Sequence, residues 1–146
     1  EFFEERPGGS MAWTLNHLTA LQDWSIHRVF FGTEPIWTRA EREAFKGGRP
    51  IVARDKEFYG EKSQIIDVFA SSQFETLKAL ERFDEEHWNV PTPSGCRFPS
   101  YGILWEHLGT HNFWHLGALS AGYPKLTNIL LVAPRHYAVD LEEMAE

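Results

Sequence analysis

The fold is decided largely by residues 105–119, WEHLGTHNFWHLGAL, because apolar and histidine side chains repeat there at helical spacing. One face of the predicted helix carries Leu104, Leu108, His111, His115, Ala118 and Leu119. Residues four apart lie on the same side of a helix, so the imidazoles of His111 and His115 point the same way. Both histidines are therefore expected to face the protein core, at a spacing that suits a shared metal ion.

Length and composition predict a single domain spanning residues 1–146, since 42% hydrophobic residues are ample for a core. The 14 Lys and Arg against 21 Asp and Glu give a net charge of −7, which argues against nucleic acid as a partner. No apolar run reaches the length of a membrane span and no signal sequence opens the chain, which predicts a soluble, cytoplasmic protein that does not bind membranes. The single cysteine, Cys96, excludes an internal disulfide and a thiolate-rich zinc site.

Periodicity and turn signals predict an all-α fold with three long helices. The first helix is expected to start after an N-cap at Ser10 and to span 11–31. A capping box at Thr38 predicts a short helix that ends near Gly47, which we interpret as a surface connector. A second long helix is predicted over 58–83 and a third over 100–122, while 123–146 is left unassigned. The core-facing stripe of the second long helix is expected to consist of Ile66, Phe69, Gln73, Leu77 and Leu80.

A third metal ligand is expected from another helix, and His17 is the best candidate because it shares a face with Trp13, Leu21 and Trp24. Several neutral imidazoles in one core would each cost about 1–3 kcal/mol without a partner. A divalent ion supplies a common partner, and zinc, nickel and iron all accept imidazole. Three histidines leave coordination positions open for water or substrate, as in catalytic sites.

The other histidines are less suitable as metal ligands. His27 is the rival third ligand, although it lies off the face of His17 and near the helix end. His107 lies one turn before His111 and is given a supporting role. His87 and His136 are expected at the surface. Gln73, Asn16 and Asn112 are candidates for orienting a ligand or substrate, with local hydrogen bonding as the simpler alternative.

Two motifs resemble the DinB/YfiT-like family of metalloenzymes. His111-x-x-x-His115-x-Gly117-x-Leu119 is similar to the signature of that family's last helix. Residues 7–18 resemble a second family pattern, in which a proline- or glycine-containing turn precedes a tryptophan and then a histidine followed by leucine. The resemblance covers residues 1 to 122. It implies an up-down-down-up four-helix bundle in which His17, His111 and His115 bind zinc or nickel.

The chain departs from the family pattern in two places. Ala118 replaces the usual glutamine of the motif, and the family's first helix would lie upstream of Glu1. Either that helix is absent or the segment 123–146 replaces it. A missing fourth helix would leave an apolar face for a partner chain, which makes a homodimer an expectation.

Characterised DinB-like relatives include S-transferases that use low-molecular-weight thiols and a thiol-dependent maleylpyruvate isomerase. The resemblance therefore implies a metal-dependent hydrolase or thiol S-transferase acting on a small molecule. A shared fold does not by itself identify the substrate. One alternative is a metal- or ligand-binding module without turnover, which a site lacking nearby ionisable groups would favour. The other is a structural or dimerising bundle, which separated histidine side chains would favour.

Overall fold

The computed structural model describes residues 2–4, 9–47 and 56–122. Over these ranges the protein is all-α, as predicted: the chain forms helices and no β-strand, apart from an isolated bridge between Pro91 and Ser100. None of the described helices combines the length and apolar character that crossing a bilayer requires. His136 and the unassigned segment 123–146 lie outside the described residues.

The first long helix is confirmed. Helix α1, Met11–Asp23, begins where the Ser10 side chain accepts a 3.1 Å hydrogen bond from the backbone N–H of Trp13. It continues directly as a π-helical segment, Trp24–Phe30. Local sequence signals were sufficient here because an N-cap acts on the three residues that follow it.

The predicted start of the short helix α2 is confirmed, whereas the second long helix differs from its prediction. Helix α2, Arg39–Ala44, begins with the predicted capping box between Thr38 and Glu41. The helix predicted over 58–83 is instead divided into α3, Lys56–Tyr59, and α4, Lys62–Glu81. The division falls at Gly60, whose φ of 84° is incompatible with a continuous right-handed helix. A 3-10 turn, Glu85–His87, then leads through a loop to α5, Tyr101–Gly122.

The three long helices pack so that α1 and α4 run in the same direction. Ala12 and Ile65, near the starts of α1 and α4, belong to one apolar cluster, and Ile26 and Ala79, near their ends, belong to another. Helix α5 runs the opposite way, because it begins at the second cluster with Leu104 and later reaches the start of α1. This arrangement brings the middle of α1 against the middle of α5.

Helix α4 buries only part of the predicted stripe, because Phe69 and Gln73 are half-buried while the other three members are exposed. Ile66, Leu77 and Leu80 are 41%, 56% and 43% exposed, whereas Ile65 and Ala79 are buried. The side that α4 turns to α1 carries small side chains at Ser72 and Ala79, which let two helices approach closely. Ile66, Leu77 and Leu80 therefore lie towards the exposed side of the helix.

Candidate metal centre

His17, His111 and His115 lie together, although 94 residues separate the first two in sequence. His111 Nε2 lies 3.3 Å from His17 Nε2 and 3.1 Å from His115 Nε2. All three histidines can each place one ring nitrogen within 4.8 Å of the others. His17 and His115 are buried and His111 is half-buried, so the cluster lies at the edge of the core, where α1 meets α5.

The hydrogen bond of His17 determines which of its nitrogens is free. Its Nδ1 lies 2.6 Å from the carbonyl oxygen of Phe45, just after α2. A carbonyl oxygen only accepts hydrogen bonds, so Nδ1 carries the proton and Nε2 presents a lone pair to the cluster. Metal-binding histidines usually have this second-shell arrangement, in which the far nitrogen donates to a carbonyl or carboxylate.

Hydrogen bonding within the cluster cannot satisfy all three rings. A neutral imidazole has one N–H, so His111 Nε2 can either donate to a neighbour or accept from His115. If it donates to His17, the N–H of His111 is used in that bond and His115 Nε2 has no hydrogen bond with it. If it accepts from His115, its lone pair faces that of His17. One contact is left without its hydrogen bond in either case, whereas a shared cation would satisfy all three lone pairs.

The three imidazoles are held in the neutral form that metal binding requires. Burial, with smaller contributions from the neighbouring His115 and His17, lowers the pKa of His111 to about 3. Burial, and secondly the unfavourable interaction that a second proton would have with a protonated His17, lowers the pKa of His115 to about 4. The pKa of His17 is also lowered, chiefly by burial, even though its bond to Phe45 acts in the opposite direction. At neutral pH the cluster therefore offers nitrogen lone pairs and no charge of its own.

The spacing of the nitrogens fits a single ion. A tetrahedral ion with Zn–N bonds of about 2.0–2.1 Å would hold its nitrogen ligands about 3.3–3.4 Å apart. The two measured Nε2–Nε2 distances, 3.3 and 3.1 Å, are close to that value. The two distances are compatible with one zinc ion, and the imidazole donors suit zinc and nickel alike.

Aromatic rings hold the ligands in place. The ring of Trp13 stacks on that of His17 with centroids 4.8 Å apart and planes 9° apart. The ring of Trp114 contacts His115 edge-on at 4.6 Å. Trp13 is buried and Trp114 is 67% exposed, so the first packs on the core side of the cluster and the second on its solvent side. Trp24, which was predicted on the same helix face as His17, packs against the apolar cluster beyond the end of α1.

Arg97 and His107 form a hydrogen-bonded pair beside the cluster, in which only the guanidinium is charged because burial and Arg97 lower the pKa of His107. One N–H of the Arg97 guanidinium donates to Nε2 of His107 over 3.2 Å. The His107 ring stacks on that of His111 with centroids 4.7 Å apart. His107 thus contacts the candidate ligand His111 through its ring, while its Nε2 accepts a hydrogen bond from Arg97.

Comparison of the chain with family models, with curated proteins and with solved structures found no match. The resemblance to the DinB/YfiT-like proteins therefore stays a prediction from the two sequence motifs. The function has to be argued from the geometry of the histidine cluster and from the residues around it.

The remaining histidines lie away from the cluster. His27, the rival third ligand, contacts Thr33 at 3.2 Å and Asp23 at 3.7 Å at the other end of α1. His87 is exposed in the 3-10 turn and lies 3.5 Å from Asp84. Of His17 and His27, only His17 therefore lies close enough to His111 and His115 to share an ion with them.

The predicted amide side chains have different partners. Asn16 donates to the backbone carbonyl of Ala12, which is the simpler local alternative. Asn112 instead donates to Gln73 over 3.1 Å and lies 3.4 Å from the buried side chain of Gln22. Ser72 completes this network through a 2.8 Å bond to Gln22. These bonds link α1, α4 and α5 next to the cluster and so stabilise the alignment of the helices that carry the histidines.

Sequence reasoning missed three contributors to the site, namely Phe45, Gly47 and Arg97. Phe45 acts through its backbone carbonyl, which has no sequence signature. A Cβ at Gly47 would lie 3.1 Å from Cε1 of His17, so the glycine permits a close approach. Arg97 lies in the loop before α5, outside any periodic pattern that would place it near the histidines.

Proposed function

We propose that this protein is a DinB-like, metal-dependent enzyme in which His17, His111 and His115 hold one zinc or nickel ion. The observation that carries the proposal is the convergence of three neutral Nε2 atoms at the spacing of metal ligands. Such convergence is not expected of histidines that merely fill a core, because they would be satisfied by separate partners.

The helix directions give the proposal independent support. The parallel pair α1 and α4 followed by the antiparallel α5 corresponds to the last three helices of an up-down-down-up bundle. The two ligand-bearing motifs fall on the first and third of these helices, which is where the family resemblance would put them. We therefore infer that the chain folds as this part of a DinB-like bundle.

Among the reactions open to such a site, thiol transfer to a small electrophile is favoured over hydrolysis. When bound, the ion would lower the pKa of a coordinated thiol or water. Within the described part of the chain, the group of possible ligands consists of three histidines and contains no carboxylate that could serve as a general base. A thiolate is itself a strong nucleophile and needs no such base once it is deprotonated. The protein's own task is then to orient the reactants and to keep the imidazoles neutral.

The test of the metal site is elemental analysis of untagged protein purified without chelator, together with the variants His17→Ala, His111→Ala and His115→Ala. We expect close to one zinc or nickel per chain, lost in each variant. His27→Ala is the matched control, because His27 lies on the same continuous helix but outside the cluster, and it should retain the metal. A folded wild-type protein that takes up no added metal would refute the proposal.

A second candidate is a metal-binding protein without turnover, which the absence of a carboxylate from the same group of ligands favours. It predicts the same metal content and the same loss in the three variants. Activity separates the two candidates: metal-loaded protein should accelerate the reaction of small thiols with alkyl halides or epoxides, and His111→Ala should abolish the acceleration. Equal rates for wild type and His111→Ala would leave the binding protein as the better description.

A further inference from the structure

Arg97 is held next to the histidine cluster by two contacts of its guanidinium group. One is the hydrogen bond to His107, and the other is the ring of Phe98, 4.7 Å from the guanidinium carbon. Because His107 stacks on His111, a single imidazole separates the guanidinium from a candidate ligand. The two contacts leave other N–H groups of the guanidinium available, since arginine has five donors.

Among the residues that the structure describes, no carboxylate neutralises the charge of Arg97. Arg97 is exposed, and within the described ranges no carboxylate lies within ion-pairing distance of it. Its field nevertheless reaches the cluster, because it helps to lower the pKa values of His17, His107 and His111. The protein as a whole is acidic, with a net charge of −7. Arg97 therefore makes a local positive region in a predominantly negative protein, which attracts anions to this position.

A metal ion would increase this positive charge. Three neutral imidazoles donate lone pairs but no negative charge, so a divalent ion held by them keeps both of its charges. An uncharged substrate would leave that charge and the charge of Arg97 uncompensated. The planar guanidinium fork also matches the two oxygens of a carboxylate better than it matches a single hydroxyl.

We propose that the substrate of this site carries a carboxylate that binds Arg97 while its reacting group lies at the histidine cluster. This inference rests on the proposed metal site and adds the substrate class, a small thiol or electrophile with a carboxylate. Arg97 acts in it as a positioning and specificity residue, since it lies beside the ligands and not among them.

The test uses cobalt-loaded full-length protein and a series of thiols of increasing reach: mercaptoacetate, 3-mercaptopropionate and 4-mercaptobutanoate. Each is compared with the alcohol of the same length, and binding is followed by the cobalt–thiolate absorption band. We expect at least one carboxylate to bind about tenfold to a hundredfold more tightly than its alcohol, the range for a charge-assisted hydrogen bond. Arg97→Gln should abolish the preference and leave alcohol binding and cobalt content unchanged, while Arg97→Lys should retain part of it.

Arg39→Gln is the matched control, because Arg39 is also exposed and its charge does not contribute to the pKa shifts of the histidines. It should bind every thiol as the wild type does. Cobalt-loaded protein that shows no preference for any carboxylate, or a preference that persists in Arg97→Gln, would overturn the substrate class and leave the metal site standing. A protein that takes up no cobalt would overturn both.

Discussion

Replacing Gly47 by alanine is expected to weaken metal binding without unfolding the protein. The added Cβ would lie 3.1 Å from Cε1 and 3.6 Å from Nε2 of His17, and the first distance requires a neighbour to give way by a few tenths of an ångström. Metal–ligand distances tolerate about 0.2 Å, and loss of a ligand's orienting contacts typically costs about 10–100-fold in affinity. We therefore expect Gly47→Ala to bind zinc about tenfold more weakly, as measured by competition with a chromophoric chelator.

Gly109→Ala is a control with the same chemical change on a ligand-bearing helix. No atom outside the local helix backbone lies within 4 Å of the Cβ position at Gly109, so the substitution should leave zinc affinity unchanged. It should also raise the free energy of unfolding by about 0.5–1 kcal/mol, because alanine is the better helix former. Equal zinc affinity in Gly47→Ala and wild type would refute the claim that the close contact with Gly47 positions His17.

Two further predictions concern the metal-free protein. Asp23→Ala should lower the free energy of unfolding, measured in urea, by about 1.5–3 kcal/mol. The reason is that the buried carboxylate accepts hydrogen bonds from the backbone N–H groups of Ile36 and Trp37 at 2.9 and 3.0 Å. Asp67→Ala alters an exposed aspartate of α4, and a similar loss of stability in that variant would contradict this reason. The free energy of unfolding should also fall as the pH is lowered from about 6.5 towards 4, because burial lowers the pKa of His115 to about 4 and the unfolded chain takes up a proton that the folded chain does not. The pH dependence should be shallower in His115→Gln, and identical slopes for variant and wild type would exclude His115 as a contributor.

The starts of α1 and α2 were predictable because their signals are local. Ser10 and Thr38 cap the helices that follow them, and each cap depends on a hydrogen bond to a residue three positions on. The buried face of α4 was not predictable in the same way. Apolar side chains occur on more than one side of that helix, and only packing against α1 decides that Ile65 and Ala79, and not Leu77, face the core.

The candidate ligands were predictable for a different reason. His111 and His115 share a helix face by their spacing, and His17 stood out because an imidazole in an apolar stripe needs a partner. Arg97 gave no such signal, since its position depends on how the loop before α5 folds back over His107. Sequence thus indicated the side chains that would hold an ion and missed the charge that would select its substrate.

The segment that follows α2 shows why a connector can determine the geometry of a site. Phe45 is buried and its carbonyl selects the tautomer of His17, while Gly47 lies against the same imidazole ring. The interpretation of this segment as a surface connector was therefore incomplete. The carbonyl that accepts the hydrogen bond from His17 belongs to the backbone of Phe45. A substitution of the Phe45 side chain therefore alters the position of this carbonyl only through packing. Gly47 is the position in this segment where a single methyl group directly displaces the ring.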